Sequence, residues 1–426
     1  MIRKINILII VVLAPFYVIA DPIFSIETIG KRAPITEPLS EFNSELDSYP
    51  DPFSSDQIIL TIDAENYFSF KENLLTPGQI KMFEMYPKSY KMNIYPSRRS
   101  CAVPPEVLDL TKKNALLIDD GEGVEGVVGS IPFPNPSEAL HHVWNHILRY
   151  RGVEIYGASP FYIINPDGTQ TYGAGEAIAK NFWNPYVRNE EAGLQGMLMT
   201  KVTHPPRLAD ASTLVIESLN AFETPRKAWV YNPGTRRVRR APDISYDYMP
   251  SSAQGLTTVD QFDGFNGAKD RYYWSDLGEQ LRLMPYNAYK FHETNIEEIL
   301  NPYHVNQDFL RYELVKVNVV EAILKEDKRH IIPKRIMYFD TDSHNMLSEE
   351  TFDDMDLLMA YREFPIINFY DQPMCLSIHS ATYDFATRRY QLQNVRSIDI
   401  PKVQWRLSEP HNEKMFTPDG LKRFAR

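Results

Sequence analysis

Past Gly152, apolar residues return at every second position, in runs broken by short polar turns. No other feature restricts the fold of this chain so closely, because a period of two places alternate side chains on opposite faces of an extended strand. Such runs are read at 155–164, 169–172, 194–203, 211–219, 226–231, 236–240, 280–291, 311–324, 329–339, 345–352, 357–369, 376–385 and 389–395. Two of the connections, Asn165-Pro166-Asp167-Gly168 and Asn232-Pro233-Gly234-Thr235, are turns with a mechanism: Pro fixes φ and Gly supplies φ > 0. Strands joined this closely pair antiparallel. An aromatic content of 12%, with 25 Tyr and 22 Phe, suits them. A sheet of this length twists, and it must close or be covered on its apolar face. The expected fold class is therefore α+β, mainly β: a large curved antiparallel sheet, an open half-barrel, over 153–426. A helical N-terminal region, 61–152, is expected to pack against it.

The chain begins with a different pattern. Arg3 and Lys4 precede an apolar run from Ile7 that Pro15 interrupts and Ala20 ends. Basic start, short apolar core and small residue at the end are the layout of a cleaved signal peptide, 1–20, and the run is short of the ~20 residues that span a bilayer. Export to the periplasm is the expected location, as a soluble protein. Residues 21–60 are acidic and punctuated by Pro and Ser, and read as an extended arm. Within 61–152, Thr76 caps a helix starting at Pro77, another starts near Pro104, and Asn135-Pro136 opens a third whose Leu140, Val143, Trp144, Ile147 and Leu148 share one face. The net charge of −11 argues against nucleic acid as a partner. Only two cysteines occur, Cys101 and Cys375; an oxidising compartment permits a bond between them, and spacing leaves open whether it forms.

Four motifs carry possible chemistry. Gly121-Glu122-Gly123-Val124-Glu125-Gly126 fits the dinucleotide fingerprint literally. Prolines follow instead of a helix, and nearby carboxylates would repel a phosphate, so it reads as a loop. His142 and His146 stand four apart on the third helix, a metal-ligand spacing. Val143 occupies the place of a zinc protease's Glu, and no third ligand is near; the two imidazoles read as a polar flank at the edge of the buried face or toward solvent. Asp340-Thr341-Asp342-Ser343-His344-Asn345 starts like a calcium loop, but Asn345 stands where Gly is needed, so it reads as a hairpin turn. Arg236-Arg237-Val238-Arg239-Arg240 is the one dense basic cluster. On a strand its arginines divide between the two faces, as a solvated edge with ion pairs or as a contact for an acidic partner. No motif for a nucleophile, a phosphate loop or a Cys–His pair appears; neither catalytic residues, a cofactor nor a metal is expected.

Several longer strings resemble a known family. Tyr86-Pro87-Lys88-Ser89-Tyr90-Lys91-Met92 and Gly129-Ser130-Ile131-Pro132-Phe133-Pro134 are similar to its N-terminal signatures. The strongest match runs from Pro225-Arg226-Lys227-Ala228-Trp229-Val230-Tyr231 through Arg240-Ala241-Pro242, followed by Asp260-Gln261-Phe262 and His304-Val305-Asn306-Gln307-Asp308. Phe416-Thr417-Pro418-Asp419-Gly420-Leu421 closes it. Together they resemble the exported bacterial proteins of domain-of-unknown-function family 1329, often labelled outer-membrane lipoprotein-sorting proteins. The resemblance implies a fold like the carriers LolA and LolB, an open half-barrel whose apolar concave face takes acyl chains. It also implies service to a proton-driven inner-membrane lipid exporter. It supplies no catalytic or ligand residues, and the chain is much longer than LolA.

The leading expectation is a soluble periplasmic carrier or chaperone for a lipid or a lipid-modified protein. Trp229 and Tyr231, on one strand face, and Met197 and Met199, on another, are the candidates for the cavity wall. Arg236, Arg237, Arg239 and Arg240 are the candidates for partner contact. Two alternatives remain: a non-catalytic adaptor of an envelope export complex, and a secreted hydrolase using carboxylates that the pattern does not single out.

Overall fold

The computed structural model describes residues 49–101, 103–110, 113–183, 193–241, 246–370, 374–400, 404–406 and 412–426. The expected signal peptide and most of the expected arm lie outside them. The described chain begins with β1 (Leu60–Ile62), α1 (Pro77–Met85), β2 (Met92–Ile94), α2 (Pro105–Leu110), β3 (Leu116–Ile118), β4 (Gly123–Glu125) and α3 (Ala139–Leu148). Region 61–152 is thus not a helical layer: four short strands alternate with its helices. Thr76 caps α1 as expected, its Oγ accepting from Gln79 N while Gln79 Oε1 accepts from Thr76 N. Gln79 Nε2 also donates to the carbonyl of Leu283, and Gly78 N donates to Glu350 Oε1. A Cβ at Gly78 would stand 2.3 Å from the Tyr361 ring, so only glycine lets α1 approach that closely. The third helix starts later than Asn135, at Ala139, because the Asn135 backbone is held by the Asn114 side chain.

The rest is mostly strand: β5 (Glu154–Ala158), β6 (Phe161–Ile164), β7 (Gln170–Asn181), β8 (Leu194–His204), β9 (Ser212–Ser218), β10 (Lys227–Asn232), β11 (Arg237–Arg240) and β12 (Tyr272–Pro285). Two one-turn helices follow, α4 (Tyr289–His292) and α5 (Ile296–Ile299). Then come β13 (Tyr312–Leu324), β14 (Lys334–Asp340), β15 (Met346–Phe352), β16 (Leu358–Glu363), β17 (Ile366–Phe369), β18 (Met374–Ser377), β19 (Ser380–Asp384), β20 (Tyr390–Gln393) and β21 (Gln404–Arg406). Helix α6 (Pro418–Phe424) ends the chain. Among the described residues no helix is long and apolar enough to cross a membrane.

The pairings give one continuous antiparallel succession: β12, β13, β14, β15, β16, β19, β20, β6, β7, β8, β9, β10, β11. β5 lies beside β6 on the same flank of β7, and β21 pairs with β5. β12 and β11 are the two edges, so the sheet does not close. β2 adds the one parallel contact, Ile94 to Tyr312. Two of the expected long strands are broken at prolines: Pro160 separates β5 from β6, and Pro365 separates β16 from β17. Proline has no N–H for a central ladder. β17 and β18 form their own two-stranded sheet, inserted between β16 and β19. β12 begins eight residues earlier than its apolar pattern suggests. Its first half is an edge with Tyr273 and Leu277 exposed and a bulge at Gly278, which hides the period of two.

Cys101 and Cys375 are bonded, closing a sequence separation of 274 residues beside Met284, Tyr286, Val317 and Tyr338. The calcium-like turn is the β14–β15 hairpin, with Ser343 N and Oγ donating to Asp340 Oδ2. The glycine-rich loop is the β3–β4 hairpin, where the Gly121 carbonyl accepts from the Trp144 indole at 3.0 Å.

Candidate functional site

The two faces of β7 differ in a way that sets out the site. One carries Gly173, Gly175, Ala177 and Ala179; the other carries Tyr172, Ile178 and Lys180. Register extends the first set sideways to Gly157 and Ile155 on β5, Leu198 and Thr200 on β8, and Val215 on β9. Ala177, Ala179, Leu198 and Val215 are all only half-buried. Small side chains here leave a trough with an apolar floor. At its end Phe161 lies over Gly173, where a Cβ would stand 2.1 Å from the ring.

Helix α3 and the segment after it make one wall. Asp263 takes ion pairs from Arg149 at 2.5 Å and from Arg151. Burial pushes the Asp263 carboxyl up, and the two guanidiniums outweigh it, holding the group well below the usual carboxylate range. His146 completes the joint: Nε2 lies 2.8 Å from the Asp263 carbonyl, and Met346 N donates to Nδ1. Burial, reinforced by Arg149, pulls this imidazole down to about 3, so it stays neutral. The segment is tied to the sheet by a buried ionic net. Asp260 pairs with Arg335, Glu349 accepts from both Arg335 and Arg362, and Gln261 Nε2 donates to Glu349. Phe262, 40% exposed, and Phe265, buried, are thereby presented to the trough.

The opposite wall comes from the insertion between β16 and β19. Phe364, Leu376, His379 and Ser380 face the trough, and Asn394 and Arg396 follow from beyond β20. Together the walls and floor enclose a cleft. Its larger part holds about 980 Å³ free of protein atoms, counting the portion open to solvent; a contiguous part holds about 540 Å³ more on the same terms. Small-molecule sites run to ~300–1,000 Å³. The lining is apolar with few polar groups, which suits a hydrocarbon chain.

The residues singled out from sequence are placed elsewhere. Trp229, Tyr231, Met197 and Met199 all share one face, not two, and it is the face opposite the trough floor. Met199, Leu214 and Tyr231 are buried with Phe416, Leu421 and Ala425 beneath α6, and Trp229 is half-buried against them. Met197 alone reaches the rim of the cleft. Met199 pairs with Leu214, and Leu214 with Trp229, so one row crosses three strands. His142 and His146 are not a solvent-side flank: both are buried, His142 lying 3.5 Å from Asp276. Among the described residues no group of His, Cys, Asp and Glu could hold a metal. Arg236, in the turn with φ of 56°, and Arg237, Arg239 and Arg240, on the edge strand β11, are exposed. Among the described residues none has a carboxylate partner, contrary to the expected ion pairs. The trough itself was missed. Its signal is Gly173-Ala174-Gly175-Glu176-Ala177-Ile178-Ala179, where small residues recur at a period of two on one strand.

The family model for proteins of unknown function DUF1329 matches residues 61–422. An uncharacterized protein of Pseudomonas aeruginosa is 36% identical over 380 residues, spanning 87% of this chain and 82% of that one. Among solved structures, a putative outer membrane lipoprotein-sorting protein domain from Vibrio parahaemolyticus aligns with a TM-score of 0.45 at 14% identity, over 67% of this chain and 98% of its own. A DUF1329 family protein from Desulfovibrio piger aligns at 0.43 and 12% over 63% and 92%. A LolA superfamily protein from Nitrosomonas europaea aligns at 0.40 and 11% over 67% and 99%. With its matched span and its Pseudomonas relative, the chain belongs to the DUF1329 family.

Proposed function

We propose that this protein carries a lipid, or the acyl chain of a lipid-modified protein, in the cleft over the trough of β5, β7 and β8. The observation behind the reading is the half-exposed apolar floor of Ile155, Ala177, Ala179 and Leu198, which water covers when the cleft is empty. Burying twelve methylenes at ~0.8 kcal/mol each gains on the order of 10 kcal/mol before the cost of ordering the chain. Binding of this kind needs no covalent step, and we read the protein as a carrier and not an enzyme.

On this reading the open sheet acts as a half-barrel of the LolA and LolB kind, with the cleft as its concave side. The signal-peptide pattern at 1–20 and the Cys101–Cys375 bond support a periplasmic setting, where disulfides persist. A proton-driven inner-membrane lipid exporter is the partner we propose for loading or unloading. The exposed arginines of β11 favour a second role within that system, an edge that meets an acidic protein surface.

Native mass spectrometry of the exported protein, purified without detergent, tests the carrier role. A stoichiometric lipid or acylated species is expected. A protein that is empty and takes up no added lipid refutes it, and co-purification with an exporter in that empty state would favour the adaptor role.

A further inference from the structure

The cleft is not uniform in charge. At one end Glu217 is neutralised by Arg226 at 2.6 Å. At the other, Arg396 lies in the wall with no carboxylate partner among the described residues. Its hydrogen bonds run only from Nη1, to the carbonyls of Ala158 at 3.1 Å and Val395 at 3.3 Å. A guanidinium keeps its charge in any protein setting, and a cation shielded from water is costly until an anion meets it. Next to it in the lining is His379, 1% exposed, with both ring nitrogens buried and without a hydrogen-bond partner. The ring stacks on Phe291 at 4.2 Å, and Ser377 Oγ donates to the His379 carbonyl, not to its ring. Asn394 stands between them in the lining; its Oδ1 accepts from Ser159 Oγ at 2.7 Å, which leaves its amide N–H groups as donors. Guanidinium, amide and imidazole are the donor set that receives an oxyanion.

We propose that the cleft's ligand is an anionic amphiphile, its carboxylate or phosphate head received by Arg396, Asn394 and His379 while its chain lies along the trough. The proposal rests on the carrier reading and adds the head-group class. The direction of the acid–base shifts agrees with it. Burial pulls Arg396 down to about 10 and His379 to about 3, with no anion of the protein opposing either. A bound oxyanion would reverse both trends, and the donors would gain the partner they lack.

Three twelve-carbon probes separate the possibilities: dodecanoate, dodecyl phosphate and dodecanol, titrated into the intact protein by calorimetry. The expected result is that at least one anion binds about tenfold or more tighter than the alcohol, the tighter anion naming carboxylate or phosphate as the natural head. Arg396→Gln should erase that preference while leaving dodecanol affinity unchanged. Asn394→Asp, which keeps the Ser159 bond and places a carboxylate at the site, should invert it and serves if Arg396→Gln fails to fold. Equal binding of all three probes overturns the head-group proposal and leaves the carrier reading standing. Anion preference that survives both substitutions overturns the assignment to these residues. If none of the three binds, the carrier reading itself falls.

Discussion

Glu363 lies fully buried at the end of β16, with the hydroxyls of Tyr383, Tyr312 and Tyr361 donating to it at 2.6, 3.1 and 3.4 Å. Burial raises its carboxyl and the three hydroxyls oppose the rise, leaving it at about 7. A folded-state value above the ordinary one of 4.5 means that the folded chain binds the extra proton. Stability from this group is therefore present below about pH 4.5 and lost as pH rises through about 7, by on the order of 3 kcal/mol. Glu363→Gln imitates the protonated form. Urea unfolding should show the variant gaining stability over the parent from pH 5 to pH 8, and a difference independent of pH would contradict it. At this scale the sequence was least informative. Trp229, Tyr231, Met197 and Met199 look like a cavity wall because aromatic and thioether side chains suit acyl chains, yet they suit a packed core equally well. Composition does not say which face of a strand a second layer will cover; here α6, distant in sequence, covers theirs. Arg396 and His379 likewise gain meaning only once β6 and β20 pair and bring 155–158 beside 379–396.

At the scale of elements, most strands of 153–426 were legible because alternation survives wherever one face is buried. The failures have local causes, prolines at 160 and 365 and a bulged edge in β12. The trough was legible too, in the small residues of β7, had both faces of that strand been weighed separately. Two substitutions on β7 and β8 distinguish the faces. Ala177→Trp fills the half-exposed trough, so acyl binding should fall at least about tenfold with unfolding unchanged, since the added ring displaces only ligand or water. Met199→Ala opens a cavity in the fully buried row beneath α6, so stability should fall by about 2–5 kcal/mol with affinity retained. Calorimetric titration and urea melts of both variants check the pair; the reverse pattern would mean that ligand lies on the α6 face.

Across the whole molecule, the succession from β12 to β11 holds together parts distant in the chain, and the Cys101–Cys375 bond adds a covalent tie. Cys375 directly precedes Leu376 of the cleft wall, so the bond bears on the site as well as on the fold. Replacing both cysteines by serine should lower unfolding stability by about 2–5 kcal/mol. It should also weaken acyl binding, because the inserted β17–β18 pair loses its tether; unaltered midpoints in urea would show that the sheet alone fixes the wall. The fold class and the open edges were within reach of the sequence, whereas the layer covering each stretch of sheet was not, because that depends on long-range docking of α3, α6 and the 246–271 segment.

The central claim is that a hydrocarbon chain lies along Ile155, Ala177, Ala179 and Leu198 beneath Phe262. Photo-crosslinking tests it most directly: a dodecanoate bearing a terminal diazirine is bound to the protein, irradiated, and the labelled residues are identified by peptide mass spectrometry. Labels should concentrate on β5, β7, β8 and the 262–265 segment. Labels on β10 and 416–425, or none above an unbound control, would contradict the account.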